Sequence, residues 1–260
     1  MSVAIDFNCD LGEDPEAVAS GRDDGLAAVV SSLNIACGGH AGDEATMDHL
    51  VRVARELGRT IGAHPGYPDR ANFGRVAVAM GGAEIEDSVR AQVEALCRIA
   101  RARGAAVTFV KPHGALYHAA MHQREVAEAI ARAARAVDAG LVLVGQCGMP
   151  GLDWWRARGM KVAAEAFADR RYEPDGALRP RTKAGALLET PEAAAAQAVD
   201  IALARGVSTK NGARVEVRAD TLCVHADTPR SLDTARAVRS SLESAGVLIR
   251  PFESGSARKQ

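Results

Sequence analysis

Aromatic residues make up only 4% of this sequence, and its five cysteines lie far apart with no C-x-x-C pair. The odd number and wide spacing of Cys9, Cys37, Cys97, Cys147 and Cys223 argue against a disulfide framework and a thiolate zinc site. A reducing cytoplasm is the expected setting. An excess of one charge is missing too. There are 32 Lys and Arg against 33 Asp and Glu, a formal net charge of −1, so nothing marks a surface for nucleic acid or an anionic membrane. No apolar run approaches the roughly 20 residues that cross a bilayer. The opening MSVAIDFNCD lacks a basic stretch and meets Asp6 early, so no signal peptide is expected. Nucleotide and nucleophile signatures are also lacking. There is no GxxxxGK[ST] loop, GQCGMPG at 145–151 lacks the GxGxxG spacing, and no GxSxG elbow presents a serine.

What is present is alternation. Short β-branched or apolar runs fall at 3–8, 33–36, 59–63, 106–110, 141–145, 161–167 and 221–225. Between them lie stretches with apolar residues at helical spacing, clearest at 43–57, 83–103, 123–136, 191–205 and 229–245. Asp43 and Thr190 stand where an N-cap is wanted, with Pro191 next. Gly58, Gly104, Gly159, Gly206 and Gly246 follow helices as left-handed caps do. Strand–helix alternation over 260 residues predicts a parallel sheet covered by helices. About seven units fit a closed (β/α) barrel, distorted and TIM-like, with an open doubly wound sheet as the alternative. A single domain over 1–252 is expected, with 253–260 as a disordered tail. Residues 207–218 read as an inserted hairpin turning at Asn211-Gly212, and 247–252 as an extra edge strand. The polar connection 170–188 is long for a plain connector, which suits a lid.

The chemistry-bearing residues cluster just after the strands. VAIDFN runs into Asn8, Asp10 and Glu13; LNIACGG into His40 and Asp43; RTIGA into His64, Tyr67 and Asp69. AVTFV leads to Lys111, His113 and Tyr117, KVAAEAF to Asp169 and Arg170, and TLCV to His225 and Asp227. In a parallel barrel these points share one face, the carboxyl ends of the strands, where active sites form. Any one strand-end histidine is easily explained by a loop carbonyl, and Asp43 by its cap. The recurrence is what points to a site. Lys111 follows an apolar run, so its ammonium should meet an anion, an oxyanion or a carboxylate such as Asp10 or Glu13. Nothing marks Cys9 or Cys37 as a thiolate. Carboxylates and imidazoles without a nucleophile suggest general acid–base chemistry or metal-activated water.

The segments FNCDLGED, SSLNIACGGHAGDEATM, IGAHPGYPDRANFGR, VKPHGALY, EAFADRRYEPDGALRPR and RADTLCVHADTP together resemble the LamB/YcsF family, that of the A subunit of bacterial 5-oxoprolinase. The likeness runs from residue 4 to about 245, in order; Cys9 and Gly39 depart from the family's usual NADLGE and ACGFHAGD. It implies a seven-stranded barrel like those of glycoside hydrolases and carbohydrate deacetylases. It also implies ATP-dependent opening of 5-oxo-L-proline to L-glutamate with two further subunits, B and C, which would handle ATP wholly or in part. On that basis Asp10 is the expected general base, with His40 or His64 orienting water. Lys111 would balance charge on the carbonyl oxygen or phosphate, and His113 would protonate the departing nitrogen. Arg170 or Arg181 would hold the substrate carboxylate, and Asn8, Glu13, Asp43 and Tyr117 complete the candidate substrate-binding set. A divalent metal is left open. Related deacetylases use an Asp-Asp-His-His site, but Leu11 follows Asp10 here. The candidate ligands are His40, His64 and Asp10, with Glu13 or Asp43 as a replacement carboxylate. The alternatives are a stand-alone metal-dependent deacetylase or amidohydrolase, and a non-catalytic subunit that presents substrate.

Overall fold

The computed structural model describes residues 3–209, 212–228 and 230–252. Its first strand, β1 (Ala4–Leu11), runs past the expected end, and its alternation sets the architecture. Phe7, Cys9 and Leu11 enter the apolar core, while Asp6, Asn8 and Asp10 bond to side chains from other strands. One face is hydrocarbon and the other is acid and amide.

The remaining barrel strands are β2 (Ser32–Ala36), β3 (Thr60–His64), β4 (Val107–Val110), β5 (Val142–Gln146) and β6 (Lys161–Phe167). A short antiparallel hairpin, β7 (Gly206–Ser208) and β8 (Arg214–Glu216), precedes the closing strand β9 (Thr221–Val224). The pairing order is β1-β2-β3-β4-β5-β6-β9, all parallel, and β9 returns to β1 through Asp6↔Thr221 and its successors. The sheet is therefore a closed seven-stranded barrel, not an open doubly wound one. β10 (Leu248–Ile249) adds the expected edge, pairing with Ala4 and Ile5. Of the hairpin turn, Asn211 lies outside the described residues, as does the tail 253–260.

Helices cover the outside: α1 (Pro15–Ala19), α2 (Arg22–Val29), α3 (Glu44–Glu56), α4 (Gly82–Ala102), α5 (Gly114–His122), α6 (Arg124–Val137), α7 (Pro150–Ala157), α8 (Pro191–Val199) and α9 (Ser231–Ser244). Asp43 and Thr190 cap α3 and α8 by accepting from Thr46 N–H and Ala193 N–H. The stretch read as one helix over 191–205 changes to a wider π-helical turn at Asp200–Ala204. There the left-handed residue is Arg205, at φ 51°, and the expected capping glycine, Gly206, instead begins β7.

The barrel interior has an apolar part made by Phe109, Val142, Val144 and Ala163, with Phe252 packed against them. Gly62 makes room for it, because a Cβ there would fall 2.0 Å from the Phe109 ring. The ladder between β3 and β4 shifts register at the same point.

Candidate active site

Strand ends and the loops after them bring the charged groups together. Lys111, just beyond β4, is 2% exposed. Its Nζ lies 2.8 Å from Asp10 Oδ1, 2.9 Å from Glu165 Oε1 and 3.2 Å from Cys223 Sγ. An ammonium has three protons to give, so these contacts occupy it fully. The anion facing Lys111 is thus the Asp10–Glu165 pair. Asn34 Nδ2 also donates to Asp10 Oδ1, at 2.7 Å.

Above this pair sit three imidazoles around one carboxylate. Glu13 Oε1 is 2.9 Å from His40 Nε2, 3.4 Å from His64 Nε2 and 2.8 Å from His113 Nδ1. His64 Nε2 is also 3.5 Å from Asp10 Oδ2 and 3.1 Å from His113 Nδ1. The remote nitrogens of two rings are anchored. His64 Nδ1–H donates to the Lys111 carbonyl at 2.6 Å, and His113 Nε2–H to the Phe73 carbonyl at 2.9 Å. His40 stacks flat on His113 with ring centres 3.7 Å apart, and its buried Nδ1 has no hydrogen-bond partner among the described residues. The glycines of the His-Pro-Gly-Tyr and following loops serve this packing. A Cβ at Gly66 would lie 2.6 Å from His40 Nδ1.

Burial and neighbouring charge pull in opposite directions here. Burial alone would raise the Asp10 carboxyl, but the His64 and Lys111 charges outweigh it and hold it well below the usual range. Glu13 is likewise held low, by bonds from the three histidines against the effect of burial. Burial would depress His64, yet Asp10 and Glu13 lift it to about 9. His40 goes the other way, to about 4, because burial prevails over its bond to Glu13. Burial pushes the Cys37 and Cys147 thiols up to about 12, and it raises those of Cys9 and Cys223 well above their ordinary range. These are poor prospects for a thiolate nucleophile.

The other expected residues fall in three places. Asn8 and Tyr117 are buried within the network, Asn8 Nδ2 on Glu165 Oε1 at 3.1 Å and Tyr117 Oη on Glu165 Oε2 at 2.8 Å. Arg170 and Arg181 belong to the long connection at 170–188. Arg170 is buried, donates to the Arg179 carbonyl at 2.8 Å and leaves its Nε without a partner among the described residues. Arg181 and Arg75 both reach Asp227 Oδ2 at 2.5 Å, tying the connection to loops after β3 and β9. Asp43 stands apart, exposed, as the cap of α3.

Two features went unassigned in the sequence. Glu165 is a lone acid in the small apolar strand KVAAEAF, and the cue available was its inward position in the alternation. Asp169 and His225 were noted only as strand-end residues, but they form a pair at 3.0 Å. A His225 ring nitrogen lies within 4.8 Å of an Asp10 carboxylate oxygen.

Comparison with known proteins gives the family and agrees with the fold. The model of the LamB/YcsF family matches residues 5–257. A protein of Chloroflexus aggregans, named as the A subunit of 5-oxoprolinase, is 49% identical over 248 residues, covering 95% of this chain and 98% of that one. One of Methylococcus capsulatus with the same name is 45% identical, covering 96% of each. The crystal structure of a lactam utilization protein from Thermus thermophilus superposes with a TM-score of 0.90 at 42% identity, covering 96% of this chain and 100% of that one. A family 4 carbohydrate esterase from Streptomyces lividans shares the fold at 12% identity and a TM-score of 0.52, covering 99% of this chain and 97% of its own.

Proposed function

The chain belongs to the LamB/YcsF family, and from that premise we propose that it is the A-type subunit of a 5-oxoprolinase. In this reading it opens the lactam of 5-oxo-L-proline to L-glutamate at the barrel mouth, driven by ATP and in complex with subunits B and C. The observation that carries the proposal is the Asp10 carboxylate, kept ionised by Lys111 and His64 beneath three histidines. The names of its relatives supply the substrate.

A five-membered lactam resists attack because amide resonance feeds its carbonyl. Transfer of the terminal phosphoryl group of ATP to the carbonyl oxygen, with loss of the N–H proton, gives an imidate-like phosphate. Water adds to its carbon as Asp10 takes one proton and returns it to the nitrogen. His113 gives the nitrogen its second proton as the C–N bond breaks, and is restored by the proton that the new hydroxyl loses in becoming the acyl carbonyl. The acyl phosphate left behind consumes a second water, giving the carboxylate and phosphate. Lys111, with its donors committed, acts through Asp10 by fixing its charge and position. His40 or His64 orients the water, and Arg170 or Arg181 holds the substrate carboxylate. The lack of a P-loop is compatible with ATP being handled wholly or partly by the partner subunits.

Glutamate release from 5-oxoproline tests this with the chain alone, then with ATP, then with the partner subunits. Turnover is expected only in the complete mixture, and Asp10→Asn should lower it by about 10² to 10⁴. Near-normal turnover by Asp10→Asn would remove Asp10 as the base. Turnover by the chain alone would point to a stand-alone amidohydrolase. Strand-end variants that lose only ligand binding or assembly would point to a presenting subunit.

A further inference from the structure

The three histidines around Glu13 present a conflict of protons. His64 spends its Nδ1–H on the Lys111 carbonyl and His113 its Nε2–H on the Phe73 carbonyl. With those nitrogens spent, His64 Nε2 and His113 Nδ1 face each other across 3.1 Å and both face the Glu13 carboxylate, an arrangement that a proton on His64 bridges in the ion-free chain and that a bound ion would bridge in its place. Facing acceptors at that distance repel unless a cation lies among them. The anchoring carbonyls are also what metal-binding imidazoles use to fix tautomer and ring orientation. His40 adds a third ring, its Nε2 2.9 Å from Glu13 Oε1. Ligand atoms of Glu13, His40, His64 and His113 all lie within 4.8 Å of one another.

We propose that Glu13, His40, His64 and His113 form a binding site for one divalent transition-metal ion of the zinc type. Three imidazoles and one carboxylate suit that class and not magnesium or calcium, which demand oxygen ligands. Asp10 is not in the set, since Lys111 holds its Oδ1. The ion enters as protons shared among these groups leave. The site lies in the pocket assigned above to lactam opening and rests on that reading only for its use in chemistry; the roles given there to His40, His64 and His113 are those of the ion-free site, because a bound ion would take the same ring nitrogens.

The test is calorimetric titration of the untagged, chelator-treated chain with zinc chloride in excess magnesium. One zinc per chain is expected, with a dissociation constant of about 1 µM or tighter for such a prearranged set. Cobalt chloride should give the visible bands of a low-coordinate nitrogen–oxygen site. His113→Gln and His40→Gln should each weaken zinc binding by about 100-fold or more, while His49→Ala, on α3, should leave it unchanged. On the unaltered chain, imidazole ¹⁵N resonances of His64 and His113 should shift together on adding zinc. The proposal is overturned if the folded chain shows no saturable binding at millimolar zinc, which leaves a shared proton as the cation. It is equally overturned if only His49, His118 or His122 responds. Zinc binding without 5-oxoproline turnover in the complete mixture would keep this site and remove the functional reading; turnover by a chain that binds no zinc would do the reverse.

Discussion

β4 and β5 line the barrel with Phe109, Val142 and Val144, whereas β1 and β2 line it with Asp6, Asn8, Asp10, Ser32 and Asn34. The apolar wall packs by volume, and its one special demand is the missing side chain at Gly62. The polar wall must satisfy each atom by direction. Asp6 accepts from Ser31, Ser32 and Thr221 at 2.7, 2.6 and 2.5 Å, yet burial still raises its carboxyl. Asp10, with Lys111 beside it, is shifted the opposite way. A buried carboxylate bonded to hydroxyls alone and one bonded to a cation are thus shifted in opposite directions.

Removing that cation is the severest way to break the contrast. Lys111→Met leaves Asp10 and Glu165 buried without a counter-charge and should cost about 3–5 kcal/mol in urea unfolding. Truncating the apolar wall comes next. Phe109→Ala opens a cavity worth about 3–4 kcal/mol, but zinc titration of the folded variant should be unchanged, because the lost ring lies in the other wall. The smallest effect sharpens the comparison with a carboxyl behind β1. Asp23 is buried, bonds Gly12 N–H at 2.8 Å and leaves Oδ1 without a partner among the described residues. Burial lifts it from 3.8 to about 6. Its folded form holds the proton more tightly than the unfolded chain, so its contribution is full below about pH 4 and is lost as pH rises through about 6. Asp23→Asn keeps an acceptor for Gly12 and should gain about 2 kcal/mol at pH 7, fading below pH 4, in thermal unfolding across pH.

The barrel was legible in the sequence because parallel strands buried on their outer faces show as apolar runs, and their ends fall at abrupt changes to His, Asp and Gly. His40, His64 and His113 could be placed on one mouth for that reason. The inner lining was harder to read. In β1 the acids and amide of Asp6, Asn8 and Asp10 alternate with Phe7, Cys9 and Leu11, and a run containing both looks simply mixed. The Lys111–Glu165 pair joins residues 54 positions apart, a distance no local spacing encodes. The short helices α1, α2, α5 and α7 gave too few turns for periodicity to declare itself. Phe252 plugs the apolar wall from beyond the last helix, where nothing in the local pattern signals burial.

The seam between β1 and β9 joins Asp6 to Thr221, which makes the order of synthesis matter. A growing chain must carry the acid-and-amide face of its first strand through nearly all of translation before the closing strand emerges. Closure therefore comes late and depends on contacts of very long sequence separation, the kind that fold slowly. Until then, neighbouring helices must shelter an unfinished sheet whose free edges could pair with another chain.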